Sequence, residues 1–137
     1  MEPVDRKSSP EASKIYRTRA IAIGSVTIGG GHPIAVQSMA ATRTTDVAAT
    51  AAQVRLLAEA GADVVRIAVD TPRDVEALRQ IRRETDANLA VDLQENYRLA
   101  ADVAHWVDKL RYNPGYLAIP QSTRTWQEKV RFLAETA

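Results

Sequence analysis

The chain has 137 residues, enough for one domain with a real core, and its formal net charge is only +1. That balance argues against a nucleic-acid or membrane partner held by bulk charge, while leaving room for a local cluster that binds a small anion. There is no cysteine, so disulfides, thiolate nucleophiles, cysteine-type zinc sites and cysteine-held iron–sulfur clusters are excluded within these residues. His32 and His105 are far apart and have no metal-ligand spacing, so no metal site is expected.

The opening stretch, MEPVDRKSSPEASK, is polar, charged and lacks the apolar run of a secretory signal. No later run approaches membrane-spanning length. Residues 1–19 are expected to be a disordered tail, residues 20–137 a folded domain, and the protein cytoplasmic.

RAIAIGSVTIGG reads as two short strands, Ala20–Ile23 and Val26–Ile28, joined in a hairpin at Gly24-Ser25. A strand from Ile34 to about Ser38 follows. TTDVAATAAQVRLLAEAG then predicts a helix with Val47, Ala51, Val54 and Ala58 on one face, capped by Thr45 or Asp46 and ended by Gly61. Val64–Val69 is a second strand, rich in β-branched residues. Thr71-Pro72-Arg73-Asp74 opens a helix with a threonine cap, an early proline and an acid three residues after the cap; Val75, Leu78 and Ile81 form its stripe. NLAVDL is a third strand, and Asn96 is expected to begin a helix carrying Leu99, Val103 and Trp106. DKLRY is a shorter fourth strand, followed by a turn at Asn113-Pro114-Gly115. A last helix opens at Thr125, with Glu128 three residues on and Trp126, Val130 and Leu133 on one face.

Strands alternating with helices in this way argue for an α/β protein with a parallel sheet and helical crossovers. An open doubly wound sheet and a (β/α) barrel both satisfy the pattern. A closed barrel needs eight units and only four are present, so the second option means half a barrel. In either case ligands bind beyond the carboxyl ends of the strands. Gly29-Gly30-Gly31 comes before the first parallel strand, at the opposite end, and is better read as a bend than as a phosphate loop. Gln37, Ser38 and the Thr42–Asp46 loop lie at the functional end, as substrate contacts or as loop fastenings; Arg43 is a loop charge.

The informative residues are polar ones inside apolar strands. Arg66 interrupts VVRIAV, and an uncompensated charge there would cost several kcal/mol, so it requires a carboxylate or an anionic ligand. Asp92 lies near the end of the third strand, with Gln94 two positions on and expected on the same face. Arg111 occupies the fourth strand, with Asn113 likewise two residues later. Adjacent parallel strands can bring Arg66, Asp92 and Arg111 together, and two guanidiniums against one carboxylate suit a phosphate or diphosphate. The bland alternative is a closed ion pair that pins neighbouring strands. His105, late in its helix, is expected at the surface, and Trp126 in the core.

GGGHPIAVQSM, TRTTD, GADVVRIAV, AVDLQENYRLA and KLRYNPG, in this order and spacing, resemble the N-terminal half of the hydroxymethylbutenyl diphosphate synthase family. The resemblance runs from about Ile21 to the last residue. It implies the N-terminal half of a (β/α)8 TIM-type barrel, four βα units preceded by a short β-hairpin. It further implies reductive opening of methylerythritol cyclodiphosphate to hydroxymethylbutenyl diphosphate and water in non-mevalonate isoprenoid biosynthesis. Electrons come from ferredoxin or flavodoxin through a [4Fe–4S] cluster held by a further domain. Substrate-binding roles fall on Arg66, Asp92, Arg111 and Asn113, and on Gln94, where many relatives have histidine and where glutamine cannot titrate near neutrality; no catalytic residue is assigned. The later strands and the cluster's cysteines are absent, so the chain is expected to bind no cofactor and to be inactive alone. Two other readings stand beside this one. The chain could be a half-barrel module that assembles with itself or with a complementing chain through its edge strands, or a small phosphate-binding α/β protein.

Overall fold

A computed structural model describes residues 18–117 and 124–137, so most of the expected N-terminal tail lies outside the described residues. A hairpin of β1 (Ile21–Ile23) and β2 (Val26–Ile28) precedes a parallel sheet of β3 (Gln37–Met39), β4 (Val64–Ala68), β5 (Leu89–Asp92) and β6 (Lys109–Arg111). The strands lie side by side in sequence order, each parallel to the next. Crossovers run through α1 (Val47–Glu59), α2 (Pro72–Arg83) and a broken helical segment that contains α3 (Ala100–Val103); α4 (Pro114–Leu117) and α5 (Trp126–Thr136) follow β6. Among the described residues no helix is long and apolar enough to cross a membrane.

Strand alternation divides the sheet into two unlike faces. Val65, Ile67 and Val69 of β4 and its end, with Leu89, Val91 and Leu93 around β5, pack against Val54, Leu78, Ile81, Val103 and Leu133 from the helices. Each such side chain contributes about 1.5–3 kcal/mol through burial. The opposite face carries Arg66, Asp92 and Arg111, and at its amino-terminal end Val64 and Ala90 pack against Ile23 and Ile28 of the hairpin. The hairpin is tied to the sheet by Asn88, whose side chain accepts from the Ser25 N–H and donates to the Asp63 carbonyl, both at 2.9 Å.

Local signals explain the helix starts. Asp46 caps α1 by accepting from the Ala49 N–H, and Gly61 ends it at φ +101°. Thr71 and Asp74 form the expected capping box of α2, with Pro72 at its first position, and Thr125 and Glu128 form another at α5. Gly29, Gly30 and Gly31 all have φ between +60° and +89°, and a side chain at Gly29 would run into the Arg19 carbonyl. The triplet bends the chain from the hairpin towards β3, at the end of the sheet away from the strand tips.

Five expectations need correction. The first parallel strand begins at Gln37 rather than Ile34: the Val36 N–H donates to the Asp63 carboxylate and its carbonyl accepts from Asp63 and Val64, so Val36 serves the α1–β4 turn, and pairing starts at Gln37–Val64. The segment after Asn96 is not one helix but two 3₁₀ turns flanking α3, and Asn96 donates to the Asp70 carbonyl instead of capping it. Asn113-Pro114-Gly115 opens the short α4 rather than a plain turn, because Pro114 suits a helix start and Asn113 Oδ1 accepts from the Gly115 N–H. Trp126 is exposed, while Lys129, which had no place in the expected stripe, is buried with its ammonium over the Tyr97 ring. Gln94 does not continue β5, as described below.

Candidate anion site

The register delivers the three charged residues to one place. Ala68 of β4 is opposite Asp92 of β5, which is opposite Arg111 of β6, and Arg66 lies two residues before Ala68 on the same face. Asp92 is buried, its side chain 7% exposed, and it touches both arginines. Arg111 Nη1 donates to Asp92 Oδ1 at 2.8 Å and to Oδ2 at 3.0 Å. Arg66 Nε stands 3.8 Å from Oδ2, too far for a hydrogen bond, and remains a buried donor without an acceptor. Its Nη2 donates to the Met39 sulfur at 3.2 Å, a weak acceptor.

This is an asymmetric cluster. Asp92 is saturated mainly by Arg111 and by the Gln94 N–H, which donates to Oδ1 at 3.0 Å. Arg66 is attracted to the same carboxylate but not hydrogen-bonded to it. A phosphate on the exposed part of the Arg66 guanidinium would offset the second positive charge.

Gln94 is placed differently from the expectation. The strand ends at Asp92, and Gln94 takes a left-handed backbone with φ +47°, so strand alternation no longer applies. Its exposed side chain lines a cleft of about 310 Å³ with Thr42, Arg43, Thr44, Asp70 and Asp74, at the carboxyl ends of β3, β4 and β5. Asn113 also lies beyond its strand, and its carbonyl oxygen is taken by Gly115.

The first loop is fastened from within. Thr44 donates to the Ala68 carbonyl at 2.6 Å, Thr42 and Thr50 share a 2.8 Å hydroxyl bond, and Gln53 Oε1 accepts from the Ala41 N–H at 2.7 Å. Gln37 opens β3 and lines the cavity beside the hairpin rather than the strand tips, and there it accepts at 2.9 Å from the Lys109 ammonium, which sequence reasoning passed over. The signal was present, since Lys109 precedes Arg111 by two residues in a strand. Met39 was also missed, and its thioether contact with Arg66 has no sequence signature. Among the described residues no group of three or more histidines or acids could hold a metal ion.

The chain matches the GcpE TIM-barrel domain over residues 18–137. It is 62% identical over 120 residues to a 4-hydroxy-3-methylbut-2-en-1-yl diphosphate synthase (flavodoxin) of Rhodopirellula baltica, covering 88% of this chain and 31% of that protein. A protein of the same name from Shewanella amazonensis is 46% identical over 123 residues, with 89% and 31% covered. The chain thus spans about a third of the length of these curated relatives. Among solved structures, phospho-2-dehydro-3-deoxyheptonate aldolase (DAHP synthase) of Thermotoga maritima superposes with a TM-score of 0.53 at 16% identity, over 74% of this chain and 31% of the other, a likeness of fold alone. A parallel half-sheet with helices on one face, an amino-terminal hairpin and a match across all the described residues lead to one conclusion: the chain belongs to the GcpE TIM-barrel domain family.

Proposed function

We propose that this chain is the part of a hydroxymethylbutenyl diphosphate synthase barrel that grips the substrate's diphosphate. In that reaction methylerythritol cyclodiphosphate takes up two electrons and two protons, its ring opens, and hydroxymethylbutenyl diphosphate and water leave. Arg66 and Arg111 hold phosphate oxygens, Asp92 orients Arg111, and the cleft beside Gln94 and Arg43 receives the polyol end. Asn113 contributes its amide nitrogen. The observation that carries this reading is the pair of partly exposed guanidiniums, the Arg66 side chain at 27% and that of Arg111 at 42%, against the single carboxylate of Asp92.

The electron-transfer step is not assigned to these residues. The [4Fe–4S] cluster of the family requires thiolates, and none of the 137 residues is a cysteine, so the donor set here does not fit it. The electron donor is proposed to be a flavodoxin, which the names of the relatives carry.

Calorimetry with methylerythritol cyclodiphosphate tests the reading. Arg66→Ala and Arg111→Ala should each weaken binding about tenfold or more. A mere charge pair would instead lose stability with no binding phenotype. Orthophosphate bound as tightly as the cyclodiphosphate would favour a general phosphate-binding protein.

A second reading rests on the sheet edges. Among the described residues β3 and β6 each pair on one side only, and Ile34 and Val36 beside β3 are exposed, Ile34 by 96%. Such an edge suits pairing with a complementing half-barrel or a second copy. Light scattering that gives a dispersed monomer at high concentration would set this reading aside.

A further inference from the structure

Met39 is the last residue of β3 and lies opposite Arg66 of β4 in the parallel register, so the two side chains stand together on the uncovered face of the sheet. The Met39 sulfur accepts from Arg66 Nη2 at 3.2 Å. A thioether is a weak acceptor. The nearest carboxylate, Asp92, is 3.8 Å from Arg66 Nε and already takes two hydrogen bonds from Arg111. Among the described residues the one side-chain hydrogen bond of Arg66 therefore goes to sulfur.

That sulfur is open to reagents. Met39 is 39% exposed, on a strand that among the described residues pairs on one side only. The chain has no cysteine and one other methionine, Met1, so Met39 is the only sulfur among the described residues. Hydrogen peroxide oxidises such a thioether directly. A sulfur lone pair forms the S–O bond as the peroxide O–O bond breaks, and sulfur loses two electrons. The proton on the transferred oxygen goes to the released hydroxide, which leaves as water. Nη2 holds one sulfur lone pair, so attack comes through the other and yields one sulfoxide epimer in excess. The rotatable bonds of the methionine side chain then let the new oxygen swing to Nη2, replacing a weak acceptor with a strong one.

We infer that Met39 is a reversible oxidation site whose sulfoxide draws the Arg66 guanidinium to itself and away from an incoming anion. The oxidation site stands on the Met39–Arg66 geometry, and its effect on anion binding rests on the reading of Arg66 as a phosphate ligand. Methionine sulfoxide reductases return the thioether, one enzyme for each epimer.

The test treats the full chain with hydrogen peroxide at a dose that leaves its circular dichroism unchanged, and maps sulfoxides by mass spectrometry, which separates Met39 from Met1. Sulfoxide should form at Met39, and one of the two epimer-specific reductases should remove about three-quarters of it or more. In Arg66→Ala, where neither lone pair is held, the two reductases should remove comparable shares. By NMR the Arg66 side-chain nitrogen signals should shift on oxidation and return on reduction. Pyrophosphate affinity, measured by calorimetry, should fall about threefold to tenfold in oxidised wild type. Untreated Met39→Gln, whose amide oxygen imitates the sulfoxide, should fall likewise, and Met39→Leu should not respond to peroxide. No sulfoxide at Met39, equal epimers in wild type, or unmoved Arg66 signals would overturn the inference. Shifted signals with unchanged pyrophosphate affinity, while Arg66→Ala binds weakly, would refute the effect on the anion. Pyrophosphate that fails to bind untreated wild type would refute the phosphate reading instead, and the epimer excess and the Arg66 signals would then decide the oxidation site. Should Arg66→Ala fail to fold, equal pyrophosphate affinity in Met39→Gln and Met39→Leu would refute the capture of Arg66.

Discussion

Arg111 holds Asp92 through a single nitrogen: Nη1 reaches both carboxylate oxygens, at 2.8 and 3.0 Å. The pair therefore does not use the parallel two-nitrogen fork that an arginine can offer a carboxylate. That geometry separates the stability of the cluster from its capacity to bind a ligand.

A lysine can reproduce a one-nitrogen contact but not a fork. Arg111→Lys should change unfolding free energy by less than about 0.5 kcal/mol, and should weaken pyrophosphate binding several-fold. Urea melts and calorimetry on one preparation measure both. Lost stability with unchanged pyrophosphate binding would mean that Arg111 serves the fold alone.

Asp92→Asn keeps the shape of the side chain and removes the charge that both arginines face. The buried amide leaves two guanidiniums uncompensated. A loss of about 1–2 kcal/mol is expected, smaller than for a fully buried pair because both arginines remain partly exposed. Denaturant unfolding at low and high salt checks it, and added phosphate should recover part of the loss.

Gln94 donates its N–H to Asp92 from a left-handed backbone that glycine tolerates far better. Gln94→Gly should keep that bond and raise stability by up to about 1 kcal/mol. Gln94→Ala should not relieve the strain. If both variants weaken cyclodiphosphate binding equally, the side chain contacts the ligand; if neither does, position 94 acts through its backbone.

Gly24 combines φ +56° with a close approach to the Asn88 side chain, which also holds Ser25 and Asp63. Gly24→Ala should destabilise by about 1–3 kcal/mol by lifting the hairpin off Val64 and Ala90. Hydrogen exchange should localise the loss to residues 21–28. Uniform loss across the sheet would show that the hairpin and sheet unfold as one unit.

Hydrogen bonds from the Thr125 N–H and hydroxyl hold the Glu128 carboxyl below its ordinary range. A depressed carboxylate contributes stability above its unfolded pKa and loses it as pH falls through the folded value. The stability gap between wild type and Glu128→Gln should thus be flat from pH 6 to 8 and close in acid, below the ordinary value of 4.5. A gap that widens on acidification would contradict the capping box.

Much of this was legible in one dimension. Helix starts announced themselves through Thr71-Pro72 with Asp74 and through Thr125 with Glu128, because capping is satisfied within a few residues. Arg66 and Asp92 stood out because a charge in an apolar strand demands a partner. Expectations failed where a strand ended early or a distant group competed. Gln94 and Asn113 were assigned faces by an alternation that stops at Asp92 and Arg111. Val36 was drawn out of β3 by Asp63, and Trp126 gave its place on α5 to Lys129 over Tyr97.

By itself, then, the sequence determined the order of the strands and the longer helices, the charges set in apolar strands and the absence of thiolates, all of which follow from local propensity and from composition. The tertiary structure alone decided which charges meet: Asp92 takes Arg111 firmly and Arg66 loosely, and Lys109 crosses the sheet to Gln37. Those pairings depend on strand register and sheet curvature, which are set by packing between residues remote in the chain.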